Sequence, residues 1–178
     1  MVTGNSLKAL LQQYEIAPES AYDQFSLTLT LDGNVMRFKE DVGTITYGSK
    51  LDQNLMEHVS ITNGYELKPG QAVLACSSEV VHMPMGYIGF LQTKGSLARL
   101  FITIQCCDAQ VESGYHGKVT FEICNMGTAT IRLLPGVPVG QLYIFETTCK
   151  DIAYNGKYNH ATQPTISNKR YNIINDEE

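Results

Sequence analysis

The chain has 178 residues and a mass of 19.7 kDa, which is enough for one domain with a sizeable core and too short for two. Hydrophobic residues make up 43% of it and charged residues 17%, a composition that excludes an intrinsically disordered chain. The formal net charge of −5 and the pI near 5.3 argue against a general nucleic-acid-binding protein, so an anionic ligand would need a local basic pocket or a divalent cation.

No apolar run approaches the roughly 18 residues of a membrane-spanning helix, and no charged region followed by an apolar one opens the chain. We therefore expect a cytoplasmic protein with neither membrane nor nucleic-acid partners. The five cysteines are an odd number and include the adjacent pair Cys106-Cys107, which does not suit a disulfide framework. No C-x-x-C and no H-x-E pattern occurs, although zinc-dependent nucleobase deaminases need both. We expect no protein-bound metal, so any deamination would proceed without zinc.

The first predicted element is a short amphipathic helix from Asn5 to Tyr14. Three leucines and the tyrosine recur there at the spacing of one helix face, with Asn5 or Ser6 as the candidate N-terminal cap. It is the one helix of appreciable length that the sequence predicts.

Strict alternation over residues 25–31 predicts a strand with Phe25 and the leucines facing inward and the hydroxyls facing outward. Asp32-Gly33-Asn34 follows as a turn signal between this strand and residues 35–38. The two runs together predict a β-hairpin.

Residues 39–64 carry weaker signals, with short candidate strands over 43–47 and 59–62. Clearer strands follow, and Pro-Gly turns precede two of them. The clearer strands cover residues 71–76, 87–92, 119–123 and 139–145. Many short strands, frequent turns and one terminal helix predict an all-β sandwich or barrel-like fold.

We predict a domain boundary near Lys150, with a β-barrel domain over residues 1–149 and a C-terminal tail or lid over 150–178. From Lys150 the chain is rich in Asn, Tyr, Lys and Thr and poor in aliphatic residues, so the tail alone buries little apolar area. Its order would then depend on a ligand or a neighbouring subunit, and a disordered terminus is the alternative.

The polar residues most suggestive of function lie between Lys94 and Glu122. Gly95-Ser96 followed by Arg99 suits a phosphate, because glycine lets backbone N–H groups approach an anion while the hydroxyl and guanidinium donate directed hydrogen bonds. Residues 112–117 read as a turn. Glu122 lies in an alternating strand, where acids are disfavoured, so it is either a functional carboxylate or a solvated one.

These residues form an ordered series. Residues 94–100 read KGSLARL, Glu112 follows Arg99 by thirteen residues, residues 114–117 read GYHG, and Phe121-Glu122 completes the series without a gap. The series resembles the dCTP deaminase branch of the dUTPase-like superfamily. That branch carries a pattern close to G-R-S-S-L-A-R-L-G, an acid thirteen residues after the arginine, a glycine-aromatic-x-glycine turn and a strand containing L-E.

The resemblance implies a dUTPase-like distorted β-barrel (β-clip) that forms a homotrimer, with nucleotide sites between subunits. It also implies Mg²⁺ on the triphosphate of a deoxynucleotide, dCTP first and dUTP or dTTP as alternatives. Glu122 falls on the family's general acid and base, and Arg99 and Ser96 complete the catalytic set. Glu112 would hold the 3′-hydroxyl, and Tyr115 would pack on the sugar. The other positions that match substrate-binding residues are Lys94, Gly95, Gln110, Gln141, Tyr154, Lys157 and Tyr158.

The chain departs from the family pattern at several of these positions. Gly95 and Lys94 replace a serine and an arginine, which removes a hydroxyl and a bidentate phosphate contact. Glu112 is one methylene longer than the usual aspartate. The other departures are Thr28 for an aspartate near the N-terminus, Gln110 for the arginine of many monofunctional members, and Ala161 and Gln163 for the glutamine and glycine of the lid.

Three functions fit the sequence. The first is zinc-independent hydrolysis of dCTP to dUTP and ammonia, which Glu122 favours because that position is apolar in trimeric dUTPases. The second is dUTP pyrophosphatase activity, alone or coupled to deamination with dUMP as product, which Tyr115 and Glu112 favour. The third is a non-catalytic deoxynucleotide-binding regulatory protein, which Gly95, Thr28 and the altered lid favour.

Overall fold

The structure is a computed structural model, in which residues 1–49, 51–106 and 108–167 are described. The α-helices of this part of the chain are α1 (Gly4–Tyr14) and α2 (Gly95–Ala98). The strands are β1 (Tyr22–Asp23), β2 (Ser26–Phe38), β3 (Met56–Ser60), β4 (Tyr65–Leu67), β5 (Ala72–His82), β6 (Tyr87–Thr93), β7 (Ile102–Thr103), β8 (Gln110–Val111), β9 (His116–Asn125), β10 (Ile131–Leu133) and β11 (Pro138–Glu146). Neither helix has the length and apolar character that crossing a bilayer requires.

The predicted N-terminal helix is confirmed as α1, which buries its three leucines on one face. The predicted cap at Asn5 or Ser6 is wrong, because the helix begins at Gly4 and Thr3 precedes it without a side-chain cap. The Gly4 N–H donates to the Gln24 carbonyl instead. This backbone bond satisfies one of the N–H groups that a capping side chain would otherwise take, and it ties the helix to the sheet.

Strand β2 is the hub of the sheet, and it overturns the predicted hairpin. Residues 26–38 form one continuous strand through Asp32-Gly33-Asn34. β2 pairs with β11 along its first half and with β5 and β3 along its second half, and a register shift between Leu31 and Val35 accommodates the turn-like residues. The leucines of β2 are fully buried as predicted, but Phe25 is 62% exposed, because it precedes the paired region.

The other predicted strands form with shifted ends. The strand expected over 71–76 extends to His82 as β5, and the weak signal over 59–62 corresponds to β3, which ends at Ser60. The candidate strand over 43–47 is wrong, since residues 42–46 have no regular secondary structure. The all-β class with a short N-terminal helix is confirmed.

The main sheet curls so that its two ends come together. Its strand order is β7-β9-β5-β2-β11-β6-β8, with β1 and β3 attached to β2. Because β7 and β8 are consecutive in the chain, the chain between them must cross from one end of this order to the other. We call the described residues of this crossing, 104–106 and 108–109, the closing segment. The Glu122 N–H donates to the Ile104 carbonyl (2.8 Å), and the Leu91 N–H donates to the Ala109 carbonyl (2.7 Å). The closing segment therefore joins the two edges into a barrel.

The barrel interior is filled by aliphatic side chains and by Phe121, which is fully buried in β9. Buried polar side chains are hydrogen-bonded, as Asn125 shows at the end of the same strand. Its amide donates to the Leu67 and Ala129 carbonyls, both at 2.9 Å, and accepts from the Gly127 N–H at 3.0 Å. β9 is thus anchored by packing in its middle and by hydrogen bonds at its C-terminal end.

Candidate functional site

A cleft of about 450 Å³ opens beside the closing segment, between β5, β9 and the C-terminal tail. Apolar side chains of the barrel, including Leu74, Leu91 and Val119, form part of its wall. The predicted site residues that line it are Gln110, Glu112, Tyr115, Glu122, Tyr154 and Tyr158. The structure therefore brings half of the predicted set into one concave site.

Glu122 reaches the cleft because β9 alternates between half-buried and buried positions along its length. The closing segment fixes the backbone of Glu122 through the hydrogen bond to Ile104 and a bridge to Gln105. The carboxylate is half-buried at the cleft wall. Thr120 lies two residues earlier on the same face and also lines the cleft. Period-two alternation placed Thr120 beside Glu122, although no motif singled it out.

The predicted turn over residues 112–117 forms, and Met83 holds it in place. The Met83 N–H donates to the Tyr115 carbonyl (2.8 Å), and the Gly114 N–H donates to the Met83 carbonyl (2.9 Å). The Tyr115 ring is buried, and its hydroxyl donates to the Lys118 carbonyl at 2.6 Å. Burial raises the pKa of Tyr115 far above the ordinary value of a phenol. Tyr115 is therefore a fixed, neutral aromatic wall of the cleft.

Glu112 begins this turn and is half-buried in the cleft. Burial is the main cause that raises the pKa of Glu112 above its ordinary value, and the negative charge of Asp108 adds to the rise. A hydrogen bond from its own backbone N–H opposes the rise. The fold thus holds a partly desolvated carboxylate at the wall of the cleft.

The described part of the tail packs on the barrel of its own chain. The Tyr154 N–H donates to the Ser113 carbonyl (2.6 Å), and the Lys118 N–H donates to the Ala161 carbonyl (2.8 Å). The Tyr154 ring lies against Tyr115, with centroids 6.0 Å apart and an interplanar angle of 55°. The composition suggested that a ligand or a neighbouring subunit would order the tail, whereas these contacts come from its own barrel.

Glycines make room for the docked tail. A Cβ at Gly114 would lie 2.9 Å from the Ala153 Cβ, and one at Gly117 would lie 2.7 Å from the Ala161 nitrogen. Both distances are shorter than van der Waals contact, so a larger residue would displace the tail. Residues 168–178 of the predicted tail lie outside the described residues.

Lys94 and Gln141 belong to a separate polar cluster outside the cleft lining. The Lys94 ammonium lies 2.9 Å from the Asp23 carboxylate and 3.4 Å from the Thr28 hydroxyl. The hydrogen bond from Lys94 is the main cause that holds the pKa of Asp23 below its ordinary value. Gln141 pairs with Thr28 across β11 and β2. Asp23, which the sequence analysis missed, places a carboxylate beside Thr28, where the family pattern has an aspartate.

Gly95, Ser96 and Arg99, which we call the α2 group, also lie outside the cleft lining. All three are exposed on the surface. Leu100 and Phe101 follow them and are 50% and 69% exposed. The predicted site is therefore divided within one chain, with the carboxylates in the cleft and the anion-binding candidates outside it.

The tail contributes further residues to the site. Lys157 is exposed, with its ammonium 5.4 Å from the Tyr158 ring centroid, whereas Tyr158 lines the cleft. Thr165 and Ser167 also line the cleft, and no sequence pattern singled them out. Within residues 1–49, 51–106 and 108–167, no group of three or more His, Cys, Asp or Glu side chains is arranged to hold a metal ion.

Comparison with known proteins identifies the family. Residues 1–147 match the family described as dCTP deaminase-like. The chain belongs to the dCTP deaminase-like family. The predicted membership is thereby confirmed for the barrel and the motif series within it.

Two curated relatives show how far the similarity to this family extends. A relative from Methanospirillum hungatei, named dCTP deaminase, dUMP-forming, is 33% identical over 105 residues, which are 57% of each chain. One from Halorubrum lacusprofundi, named dCTP deaminase, is 40% identical over 80 residues, 45% of this chain and 39% of the relative. The chain thus spans little more than half the length of the first relative and less of the second.

The solved structure of 2′-deoxycytidine 5′-triphosphate deaminase from Agrobacterium tumefaciens has a similar fold. It superposes with a TM-score of 0.63 at 18% identity, covering 80% of this chain and 47% of that one. At this identity the likeness concerns the fold alone. It confirms the predicted dUTPase-like barrel of the dCTP deaminase-like family.

Replacing Gly114 by alanine should loosen the tail. Gly114 has φ +81°, and the control Gly70 has φ +75° with nothing within 4 Å of its Cβ position. Both alanine variants should lose about 1 kcal/mol of stability from the left-handed backbone, but only Gly114→Ala pushes against Ala153. Limited trypsin digestion should cleave that variant several-fold faster after Lys150 and Lys157. Equal cleavage of the two variants would contradict the tail docking.

Replacing Glu112 by glutamine should raise the stability of the ligand-free protein at neutral pH. A raised pKa means that the folded state binds the Glu112 proton more tightly than the unfolded chain, so stability falls as pH rises from the ordinary value near 4.5 through the raised value. Glutamine does not titrate, so the stability of the variant does not fall in this way as pH rises. Urea unfolding at pH 4 and pH 7 should therefore show that the variant exceeds the wild type in free energy of unfolding by more at pH 7 than at pH 4. The control is Glu66→Gln, which changes an exposed carboxylate. A gain in the stability of Glu112→Gln that is no larger at pH 7 than at pH 4 would refute the effect.

Proposed function

We propose that this protein hydrolyses the bond between C4 and the amino group of the cytosine base in dCTP, which releases ammonia. The observation that carries the proposal is the placement of Glu122, a strand carboxylate at the wall of a cleft that also contains Glu112 and Tyr115. The cleft volume of about 450 Å³ lies in the range of small-molecule sites. Membership of the dCTP deaminase-like family and the names of the two relatives support the same substrate.

In the proposed reaction, Glu122 acts first as a base and then as an acid. Its carboxylate takes a proton from the water that attacks C4 of cytosine and delivers that proton to N3. The carboxylate then carries the proton of the new C4 hydroxyl to the amino group, and ammonia leaves as the C4 carbonyl forms. One water enters, one ammonia leaves and no electrons are exchanged with another molecule, so a single carboxyl group is sufficient.

Glu112 and Tyr115 are suited to hold the deoxyribose beside Glu122. A sugar hydroxyl that donates to Glu112 would satisfy a carboxylate that the fold has partly desolvated, and this favours a bound ligand. The buried Tyr115 ring cannot move away, because its backbone and hydroxyl are both hydrogen-bonded. The sugar would therefore be positioned before the base is attacked.

The triphosphate requires cations that this cleft does not supply. Among the described residues that line it, Asp108, Glu112 and Glu122 carry carboxylates and none is Lys or Arg. We propose that Arg99 and Ser96 of a neighbouring copy bind the phosphates in a homotrimer with sites between subunits. The exposed Leu100 and Phe101 beside Arg99 would be covered in that assembly.

We propose that Mg²⁺ is bound by the triphosphate and arrives with it. Mg²⁺ prefers phosphate and water oxygens with one or two carboxylates, and the cleft offers carboxylates without a cluster of metal ligands among the described residues. The ion would offset the repulsion between the triphosphate and the cleft carboxylates.

The product we favour is dUMP, although the sequence alone favoured dUTP. The Methanospirillum hungatei relative is named dUMP-forming, and Gln110 replaces the arginine of many monofunctional members of the family. In this route a second water attacks the α-phosphorus, so dCTP and two waters give dUMP, diphosphate and ammonia. Accumulation of dUTP as the end product would support simple deamination instead.

Replacing Glu122 by glutamine should lower ammonia release from dCTP by about 10²- to 10⁴-fold, because glutamine cannot transfer the proton. The control is Glu66→Gln, which changes an exposed carboxylate on β4. Purified protein is incubated with dCTP and Mg²⁺, and ammonia, dUTP, dUMP and diphosphate are quantified. Diphosphate from dUTP without ammonia from any cytosine nucleotide would indicate a pyrophosphatase. Nucleotide binding with no product would indicate a regulatory protein, and either result would end this proposal.

Two inactive variants should restore activity when they assemble together. If Arg99 serves a neighbour's cleft, co-expressed Glu122→Gln and Arg99→Ala chains form some sites that contain Glu122 from one chain and Arg99 from the other. Random assembly should recover about a quarter of wild-type turnover. Each variant expressed alone is the control. Mixed assemblies that remain as inactive as the single variants would show that both residues act within one chain.

A further inference from the structure

Two thiols meet at the junction of the closing segment and β9. The sulfur atoms of Cys106 and Cys124 lie 3.2 Å apart, about 1.2 Å longer than a disulfide bond. Cys106 is exposed and Cys124 is half-buried. Two other described cysteines have different neighbours, since Cys76 is buried with its thiol 3.5 Å from Asp32, and the Cys149 thiol lies 3.1 Å from Asp151.

Backbone pairing holds the two thiols in this arrangement. Cys124 pairs with Thr103 of β7 on one side. Gln105, which precedes Cys106, bridges to Glu122 in β9. The Gln105 side chain accepts hydrogen bonds from the hydroxyls of Thr93 (2.7 Å) and Thr103 (3.3 Å). Hydrogen bonds therefore fix the backbone of Cys124 and of the residue before Cys106, and the two sulfur atoms lie within reach of each other.

We propose that Cys106 and Cys124 are a redox modification site, which closes to an intramolecular disulfide on exchange with a low-molecular-weight disulfide. Cys106 is the entry point because it is the exposed member of the pair. Cys124 is the resolving thiol because its sulfur lies against that of Cys106. None of the four described cysteines is in a disulfide in this structure, so a bond between Cys106 and Cys124 would be a change of state.

The exchange balances in two steps. The Cys106 thiolate attacks one sulfur of the small disulfide, which forms a mixed disulfide and releases one thiol. The Cys124 thiolate then attacks the Cys106 sulfur, which forms the Cys106–Cys124 bond and releases the second thiol. Two protein thiols are oxidised, the small disulfide is reduced, and the two thiol protons pass to the released thiols.

The bond would lock the part of the barrel that surrounds the cleft. The covalent ring from Cys106 to Cys124 contains Glu112, Tyr115 and Glu122. The bond also fixes Cys106 in the closing segment, two residues before the cleft wall at residues 108–112. Oxidation should therefore restrict opening of this wall. This inference concerns the contact between the closing segment and β9, and it does not depend on which nucleotide the cleft binds.

The test uses the full chain, reduced and then treated with glutathione disulfide. Digestion with trypsin under non-reducing conditions should join the peptides of residues 100–118 and 119–132, and fragmentation should assign the bond to Cys106 and Cys124. The oxidised protein should unfold about 5 to 10 °C higher than the reduced protein. Amide hydrogen exchange at residues 108–112 should slow several-fold, and a dithiol reductant should reverse all three changes.

Single replacements by serine make the test specific. Cys106→Ser and Cys124→Ser should abolish the crosslink and the rise in unfolding temperature. Cys149→Ser is the matched control at an exposed thiol, and Cys107→Ser removes the adjacent cysteine, so both should leave the crosslink intact. A crosslink through Cys107, a disulfide between two chains, or a Cys106–Cys124 bond that changes neither unfolding nor exchange would overturn the proposal.

Discussion

The crossing of the closing segment between the two ends of the sheet is the constraint on which the rest of the structure depends. Without it, the parts of β9 and β6 that extend beyond their short pairings with β7 and β8 would carry open edges. The crossing satisfies the backbone groups of both edges through Glu122 and Leu91, and it leads directly into the turn that carries Glu112. The cleft, the Glu122 carboxylate and the Cys106–Cys124 thiol pair all lie beside the closing segment. The cleft thus forms where the barrel is closed by irregular backbone rather than by strand pairing.

The site residues of one chain differ in charge between the two places in which they lie. Three carboxylates line the cleft among the described residues, whereas the α2 group is exposed and Lys94 is paired with Asp23. These carboxylates would repel an anion unless cations offset their charge. Asp23 restores a carboxylate next to Thr28, so this departure from the family pattern is partly compensated by a residue five positions earlier in the sequence.

The family motif and the alternation of β9 carried most of the information about the cleft. They predicted Glu112, Tyr115 and Glu122, and the structure places these three side chains around one cavity. The sequence analysis missed Thr165, Ser167 and Asp23 because their positions depend on contacts with distant parts of the chain. No periodicity or turn signal reports such contacts.

The sequence by itself determined what depends on near neighbours. It gave the helix α1, the alternation that sets Glu122 on one face of β9, and the motif spacing that identifies the family. Only the tertiary structure decided that Asp32-Gly33-Asn34 continues a strand, because pairing of β2 with β5 and β3 outweighs a local turn preference. It also decided that the carboxylates and the α2 group lie apart within one chain, because that separation follows from the long-range path of the sheet.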